Sequence, residues 1–335
     1  MKEQKILLGH GSGGVLTHKL IKEVFLTRLN NPVLGELTDS AYLDYKEKLA
    51  FTTDSFVVSP LFFPGADIGK LAVCGTVNDL VMLGASPEYL SLALIIEEGL
   101  ELSLLEKITD SIASSAKKAG VAIVTGDIKV VEKGACDKLF INTSGIGRII
   151  SKKKLSPENL EPGDKVIITA NIAQHGLAVL ARRKSLGLDF NIKSDCAALN
   201  NLLIPLFKKT NAIKFMRDPT RGGLATTLNE VAQVRGLGIL LEENQIPISA
   251  QVRAACELLG IDPLYVANEG AAVVIVSKNA ANQVIHFLKK HPLGKNAKII
   301  GTVTKEYAGR VVLSTLFGTQ RIVDMLTSEP LPRIC

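Results

Sequence analysis

From residue 50 to residue 313, short β-type runs alternate with segments of helical period, which confines the chain to a layered α/β or α+β architecture. Strands are expected at Ala50–Val58, Tyr89–Ile96, Val121–Val124, Leu139–Ile141, Val166–Thr169, Gly238–Leu241, Ala272–Val276, Ile299–Val303 and Arg310–Leu313. Helices are expected over Val15–Leu29, where Leu16, Leu20, Val24 and Phe25 share a face, and over Ile68–Leu83 and Leu104–Ala119. Others follow at Gly176–Ser185, Leu199–Lys208, Gly223–Val234, Ser249–Leu259 and Ala281–Lys289. A turn-forming cluster at Ser151–Asp164, with Pro157 and Pro162-Gly163-Asp164, suggests a boundary between domains at 1–150 and 151–315. In the tail, 316–335, Pro330 and Pro332 exclude a terminal helix and favour a flexible, poorly anchored arm.

Composition narrows the function. The 39 Lys+Arg against 33 Asp+Glu leave a mild +6, spread in short runs such as Lys152-Lys153-Lys154, and there is no Trp. A nucleic-acid partner is therefore not expected. No apolar run approaches the ~18 residues that span a bilayer, and the N-terminus lacks the apolar core of a signal peptide. A cytoplasmic protein without membrane association is expected. The cysteines (74, 136, 196, 256 and 335) are odd in number and form no C-x-x-C pair, which argues against a disulfide framework or zinc site.

Carboxylates in apolar surroundings carry the strongest chemical signal. Ile68–Leu83 is apolar nearly all round, yet Asn78-Asp79 sit in its middle. An unpaired buried carboxylate costs several kcal/mol, so Asp79 needs a cation, a metal or several donors. Asp54 interrupts Phe51–Val58, Asp39 lies in Leu37–Ala41, and Asp127 is read at the C-terminal end of a strand. Carboxylates without His or Cys clusters suit Mg²⁺ and its phosphate ligands. Gly9-His10-Gly11-Ser12-Gly13-Gly14 fits G-x-G-x-x-G literally but lacks the strand and acidic residue of a dinucleotide site. It remains a glycine-rich segment, with Gly11, Ser12, Gly13 and Gly14, able to close over phosphates. Asp218 and Thr220 read as caps of the following helix, and Glu269, alone, as a surface turn residue.

His10–Gly14, Thr52-Thr53-Asp54-Ser55, Val77-Asn78-Asp79-Leu80, Thr125-Gly126-Asp127, Asp218–Gly223 and Asn268-Glu269-Gly270 occur in this order. The set resembles the ATP-binding superfamily of aminoimidazole ribonucleotide synthetase, selenophosphate synthetase and thiamine-monophosphate kinase. With Phe62–Leu83, Val124–Val131 and the terminal Pro332-Arg333-Ile334-Cys335, the chain is similar to its hydrogenase-maturation family, HypE. Ile128 and Ala271-Ala272 stand where the family pattern has polar residues.

The resemblance implies two α/β domains of the aminoimidazole ribonucleotide synthetase type and a homodimer paired through the N-terminal sheet. ATP would contact Gly11, Ser12, Gly13, Gly14, Asp54, Asn78, Asp79 and Asp127, with Mg²⁺ on Asp39, Asp54, Asp79 and Asp218. The implied chemistry is ATP-driven dehydration of an S-carbamoyl group on Cys335 to a thiocyanate, the source of a cyanide ligand for [NiFe]-hydrogenase iron. Glu269 would be the base at the amide nitrogen, and Lys129 would stabilise charge on oxygen or phosphate. Implied partners are the carbamoyltransferase HypF and, as cyanide acceptor, a HypC–HypD complex. Two alternatives stay open: another ATP-dependent phosphotransferase or synthetase on this scaffold, and a non-catalytic assembly factor switched by nucleotide.

Overall fold

A computed structural model describes residues 5–11, 15–36, 45–183, 191–326 and 333–335. Two sheets organise them. The first has the spatial order Leu49–Phe56, Leu139–Ile149, Ala85–Glu97, Ala122–Val131. Its pairs are antiparallel except the last, whose parallel strands are joined through the helix Leu102–Ala119. Alternation along each strand sends Phe56, Leu90, Leu92, Leu94, Ile96 and Ile141 into the core. The opposite face carries Leu49, Phe51 and Ile95, which are 43%, 67% and 43% exposed.

The helix Ile68–Met82 lies between this sheet and the second half of the chain, which is why it is apolar all round. Its N-terminus is capped by Asp67, whose carboxylate accepts the N–H groups of Gly69 and Lys70 at 2.8 and 3.1 Å. Gly75 sets its distance from the strand Leu49–Phe56: a Cβ there would lie 2.9 Å from Phe56 Cζ. The first helix is less regular than its periodicity suggests, with Val15–Leu20 continuing as a π-helical stretch Ile21–Leu26 and a short turn Thr27–Leu29.

The second sheet runs Gln320–Val323, Val311–Ser314, Gly238–Glu242, Lys298–Thr304, Lys165–Ile168, Val273–Val276, Ile213–Arg217. Gln320–Val323 and Ile213–Arg217 are short edge strands interrupted by charged residues, so neither stood out in the sequence, and the first corrects the expectation of a loose tail from residue 316 onward. Among the described residues, no helix is long and apolar enough to cross a membrane.

The chain end corrects an expectation. Arg333–Cys335 is anchored, not loose. Val57 N–H donates to the Cys335 carbonyl at 3.1 Å and Ser59 N–H to that of Arg333 at 3.2 Å. Arg333 Nε returns a bond to the Val57 carbonyl at 3.1 Å, and its guanidinium pairs with Asp137 at 2.9 Å. Ile334 is 4% exposed. The chain end is thus hydrogen-bonded alongside residues 57–59, with Arg333 at a φ of 55°.

Candidate functional site

Asp54 and Asp79 reach one place from two elements. The strand Leu49–Phe56 turns Thr52, Asp54 and Phe56 toward the helix Ile68–Met82, and Thr52 Oγ1 donates to Asp79 Oδ2 at 2.9 Å. Asp54 accepts the N–H of Ser55 at 2.8 Å. Asp218 joins them from the other half of the chain. It is not a cap, because the helix Gly223–Arg235 has Gly222 in that position, in the left-handed region that glycine tolerates. Glu269 is 3% exposed, buried rather than a surface turn residue.

The carboxylates burden one another. Burial, and then the neighbouring Asp79, pushes Asp218 up to about 7. Burial pushes Asp79 up to about 6, with Asp54 adding to it and the Thr52 hydroxyl opposing. Glu269 is held well above the ordinary range by burial and by Asp218, Asp195 and Asp54. The Cys335 thiol lies within this field: burial, then Glu269, raises it to about 11, while Arg221, in hydrogen-bond contact, pulls it back. A C-terminal thiol, a buried acid and three aspartates therefore converge.

The backbone carrying Glu269 is held by two residues. Asn78 donates from Nδ2 to the carbonyls of Ala197 at 3.1 Å and Glu269 at 3.4 Å, and accepts from Leu199 N–H at 2.8 Å. Expected among the nucleotide ligands, Asn78 has its amide committed to joining the two halves. Asp195, which the sequence reading missed, accepts the N–H groups of Glu269 at 3.3 Å and Gly270 at 2.9 Å. It sits in the polar run Lys193-Ser194-Asp195-Cys196, where nothing in the local sequence sets it apart.

Asp127 and Lys129 lie elsewhere. The strand runs on to Val131, so Asp127 is mid-strand and not at a C-terminal end. Asp127 pairs in register with Ala93, and Lys129 with Ile95, so both share the open face. They form an exposed ion pair at 3.3 Å, about three strand spacings, or roughly 14 Å, from the strand bearing Asp54. The strand Ala122–Val131 itself borders a cleft of about 200 Å³ against Thr17, Ile21 and Phe25 of the first helix, with Asp127 and Lys129 at its lining. Gly11 ends the 3₁₀ turn Leu8–Gly11 that leads to it. Ser12, Gly13, Gly14 and Asp39 fall outside the described residues.

Family models match both halves: AIR synthase related protein, N-terminal domain, over residues 37–149, and the C-terminal domain over residues 161–314. The chain is 46% identical over 338 residues to carbamoyl dehydratase HypE of Rhodobacter capsulatus, covering 100% of this chain and 99% of the relative. A crystal structure of hydrogenase maturation protein HypE in complex with ATP superposes with a TM-score of 0.95 at 46% identity, covering 98% and 99% of the two chains. A HypE–HypF complex superposes with 0.81 at 48% identity, covering 92% and 99%. Extending over the full length and both domains, these likenesses show that the chain belongs to the HypE carbamoyl dehydratases of the AIR synthase-related proteins.

Proposed function

We propose that this chain dehydrates an S-carbamoyl group on Cys335 to a thiocyanate at the expense of ATP, as a hydrogenase maturation enzyme. The observation that carries the reading is the convergence of the Cys335 thiol and Glu269 beside Asp54, Asp79 and Asp218. A phosphotransferase or synthetase acting on a free small molecule would have no use for a seated terminal cysteine, and neither would a nucleotide-switched assembly factor.

A primary amide loses water reluctantly because its oxygen is a poor leaving group. In the first step the carbamoyl oxygen attacks the γ-phosphorus of ATP, ADP leaves, and one N–H proton is lost to give an O-phosphorylated S–C(=NH) group. In the second, removal of the remaining N–H proton expels phosphate and leaves S–C≡N. Glu269 is our candidate for that base. Burial first, and then Asp218, Asp195 and Asp54, push its carboxyl well above the ordinary range, so neutralising charge on Asp218 and Asp54 would draw it back down and favour the carboxylate that takes the proton.

The donor set fits Mg²⁺, since it consists of deep-set carboxylate oxygens whose own charges repel. Asp54, Asp79 and Asp218 would hold it, with Asp39 a further ligand that the family resemblance implies, and it would stabilise charge on the transferred phosphoryl group. Among the described residues, no three His, Cys, Asp or Glu side chains form a metal cage unaided. The cleft between the first helix and the strand Ala122–Val131 is the proposed nucleotide seat, next to the glycine-rich segment.

The open sheet face, with Leu49, Phe51 and Ile95, is proposed as the homodimer surface. Asp127 and Lys129 also line the proposed nucleotide cleft, which supports a role toward nucleotide, whereas the proposed role of Lys129 toward the carbamoyl oxygen calls for a second copy of the chain, since the strand bearing Asp54 lies three strands away. By likeness to the HypE–HypF complex, HypF is the proposed carbamoyl donor; the family resemblance alone proposes a HypC–HypD complex as the acceptor of cyanide, in the cytoplasm.

The test is an intact-mass measurement after incubation with carbamoyl phosphate, ATP and the carbamoyltransferase. A gain of one CONH in place of hydrogen, followed by loss of one water, both on the C-terminal peptide, supports the reading. ATP turnover that is indifferent to carbamoylation of Cys335 overturns it.

A further inference from the structure

The Ile334 carbonyl lies 2.6 Å from His175 Nε2. A carbonyl can only accept, so Nε2 carries the hydrogen. In a neutral ring Nδ1 is then the acceptor, and Ser194 Oγ, 2.9 Å away, donates to it. Ser194 Oγ in turn accepts the N–H of Cys196 at 3.0 Å. The chain of bonds has one consistent direction and one tautomer. The ring is fully buried, packs edge-on against Phe63 with centroids 5.4 Å apart, and its pKa is pushed down to about 4 by burial. His175 therefore offers a fixed neutral N–H donor to the chain end.

The same short segment also carries the support of Glu269. Asp195, between Ser194 and Cys196, accepts the backbone N–H of His175 as well as those of Glu269 and Gly270. One three-residue stretch thus fixes the ring that holds Ile334 and the backbone that holds the acid. The distance between sulfur and base is set by a shared support, not by the tail alone.

We propose that His175, oriented by Ser194, is a positioning residue for the reaction at Cys335, seating the Ile334 carbonyl so that the sulfur is delivered beside Glu269. It rests on the assignment of the chemistry to Cys335 under Proposed function. The seat must also let go. A carbamoyl donor has to reach the thiol, so the carbonyl bond at Ile334, the backbone bonds at Arg333 and Cys335, the Arg333–Asp137 pair and the packing of Ile334 form a set that is broken and remade.

The test follows alkylation of Cys335 by iodoacetamide in the full chain, read by mass spectrometry of the C-terminal peptide, with buried Cys256 as the fold control. His175→Leu is expected to speed alkylation of Cys335 at least tenfold and leave Cys256 unreactive. Single-turnover dehydration of carbamoylated protein should slow tenfold or more, with ATP affinity within threefold of wild type. His175→Gln, which keeps an amide donor, should recover part of both effects. Unchanged Cys335 alkylation in His175→Leu, or no recovery in His175→Gln, overturns the proposal. If Cys256 also becomes reactive in His175→Leu, the fold has been lost and Ser194→Ala decides. That variant must raise Cys335 alkylation about threefold at constant Cys256, and a wild-type rate refutes the seat. Alkylation does not depend on turnover: a seated thiol without dehydration would refute the enzymatic reading and leave the seat standing.

Discussion

Asp79 accepts a 2.9 Å hydrogen bond from Thr52 and is nevertheless pushed up to about 6, because burial and Asp54 outweigh that one donor. In the unfolded chain the same group titrates near its ordinary 3.8. Between those two values the folded state binds more protons than the unfolded state. Asp79 therefore costs stability progressively as the pH rises from about 4 to about 6. His175 acts in the opposite sense, since its folded value is lowered, so the comparison must isolate Asp79. The melting temperature of Asp79→Asn relative to wild type, without ligand, is expected to climb between pH 4 and pH 6.5 and then level off. A flat difference across that range would mean that Asp79 is solvated or paired.

Asp54→Asn and Asp79→Asn should each remove Mg–ATP binding while the fold survives. Removing the charge relieves desolvation but deletes a metal ligand. Melts without ligand should be unchanged or slightly raised. Normal ATP affinity by calorimetry in both variants would show that the ion is held elsewhere.

Asn78→Ala should behave differently. It strands the buried N–H of Leu199 and the carbonyl of Ala197, while the Glu269 carbonyl keeps the Ala197 N–H at 3.2 Å, at a cost of about 2–4 kcal/mol. Its melting temperature should fall clearly below that of Asp79→Asn, and dehydration should fall with it. Stability equal to wild type would contradict the joining role given to this amide.

These three neighbours show what the sequence made legible. Asp54 and Asp79 announced themselves because a charge in an apolar segment demands a partner. Asn78 was noticed for the same reason, but the direction of its amide depends on residues more than a hundred positions away. Asp195 and His175 lie in polar or mixed surroundings, so nothing local marked them as buried. Asp127 and Lys129 could have been placed better: Ile128 and Val130 alternate with them and pack against the core, which sends the charged pair to the other face. The anchoring of the tail was invisible because its partners, backbone groups at Val57 and Ser59 and the side chains of Asp137 and His175, lie more than a hundred positions away in the chain.

Replacing Cys335 by Ala should abolish product yet preserve ATP binding and dimerisation. Ile334→Ala, by contrast, should destabilise the protein by about 1–2 kcal/mol, because its side chain is buried. Thermal melts of the two variants separate the roles. Carbamoylation appearing on Cys74, Cys136, Cys196 or Cys256 in the wild-type protein would sink the assignment to Cys335.

Hydrogen exchange should slow around residues 8–20 on adding Mg–ATP, as the glycine-rich segment closes on the cleft beside the first helix. Ile6 is already tied down, accepting from Gly99 and donating to Leu100, each at 2.8 Å, so its exchange should barely change. Identical exchange throughout, with and without nucleotide, would count against closure.

The acidic site is split along the chain: Asp54 and Asp79 come from one sheet and its helix, Asp218 and Glu269 from the other half, with Asn78 between them. During translation the first pair leaves the ribosome long before the second exists. On the proposed assignment, a nascent or truncated chain can complete its first sheet and still lack Asp218 and Glu269. The acidic site closes only after the second sheet has docked, so a partly made chain holds neither the full carboxylate set nor the base.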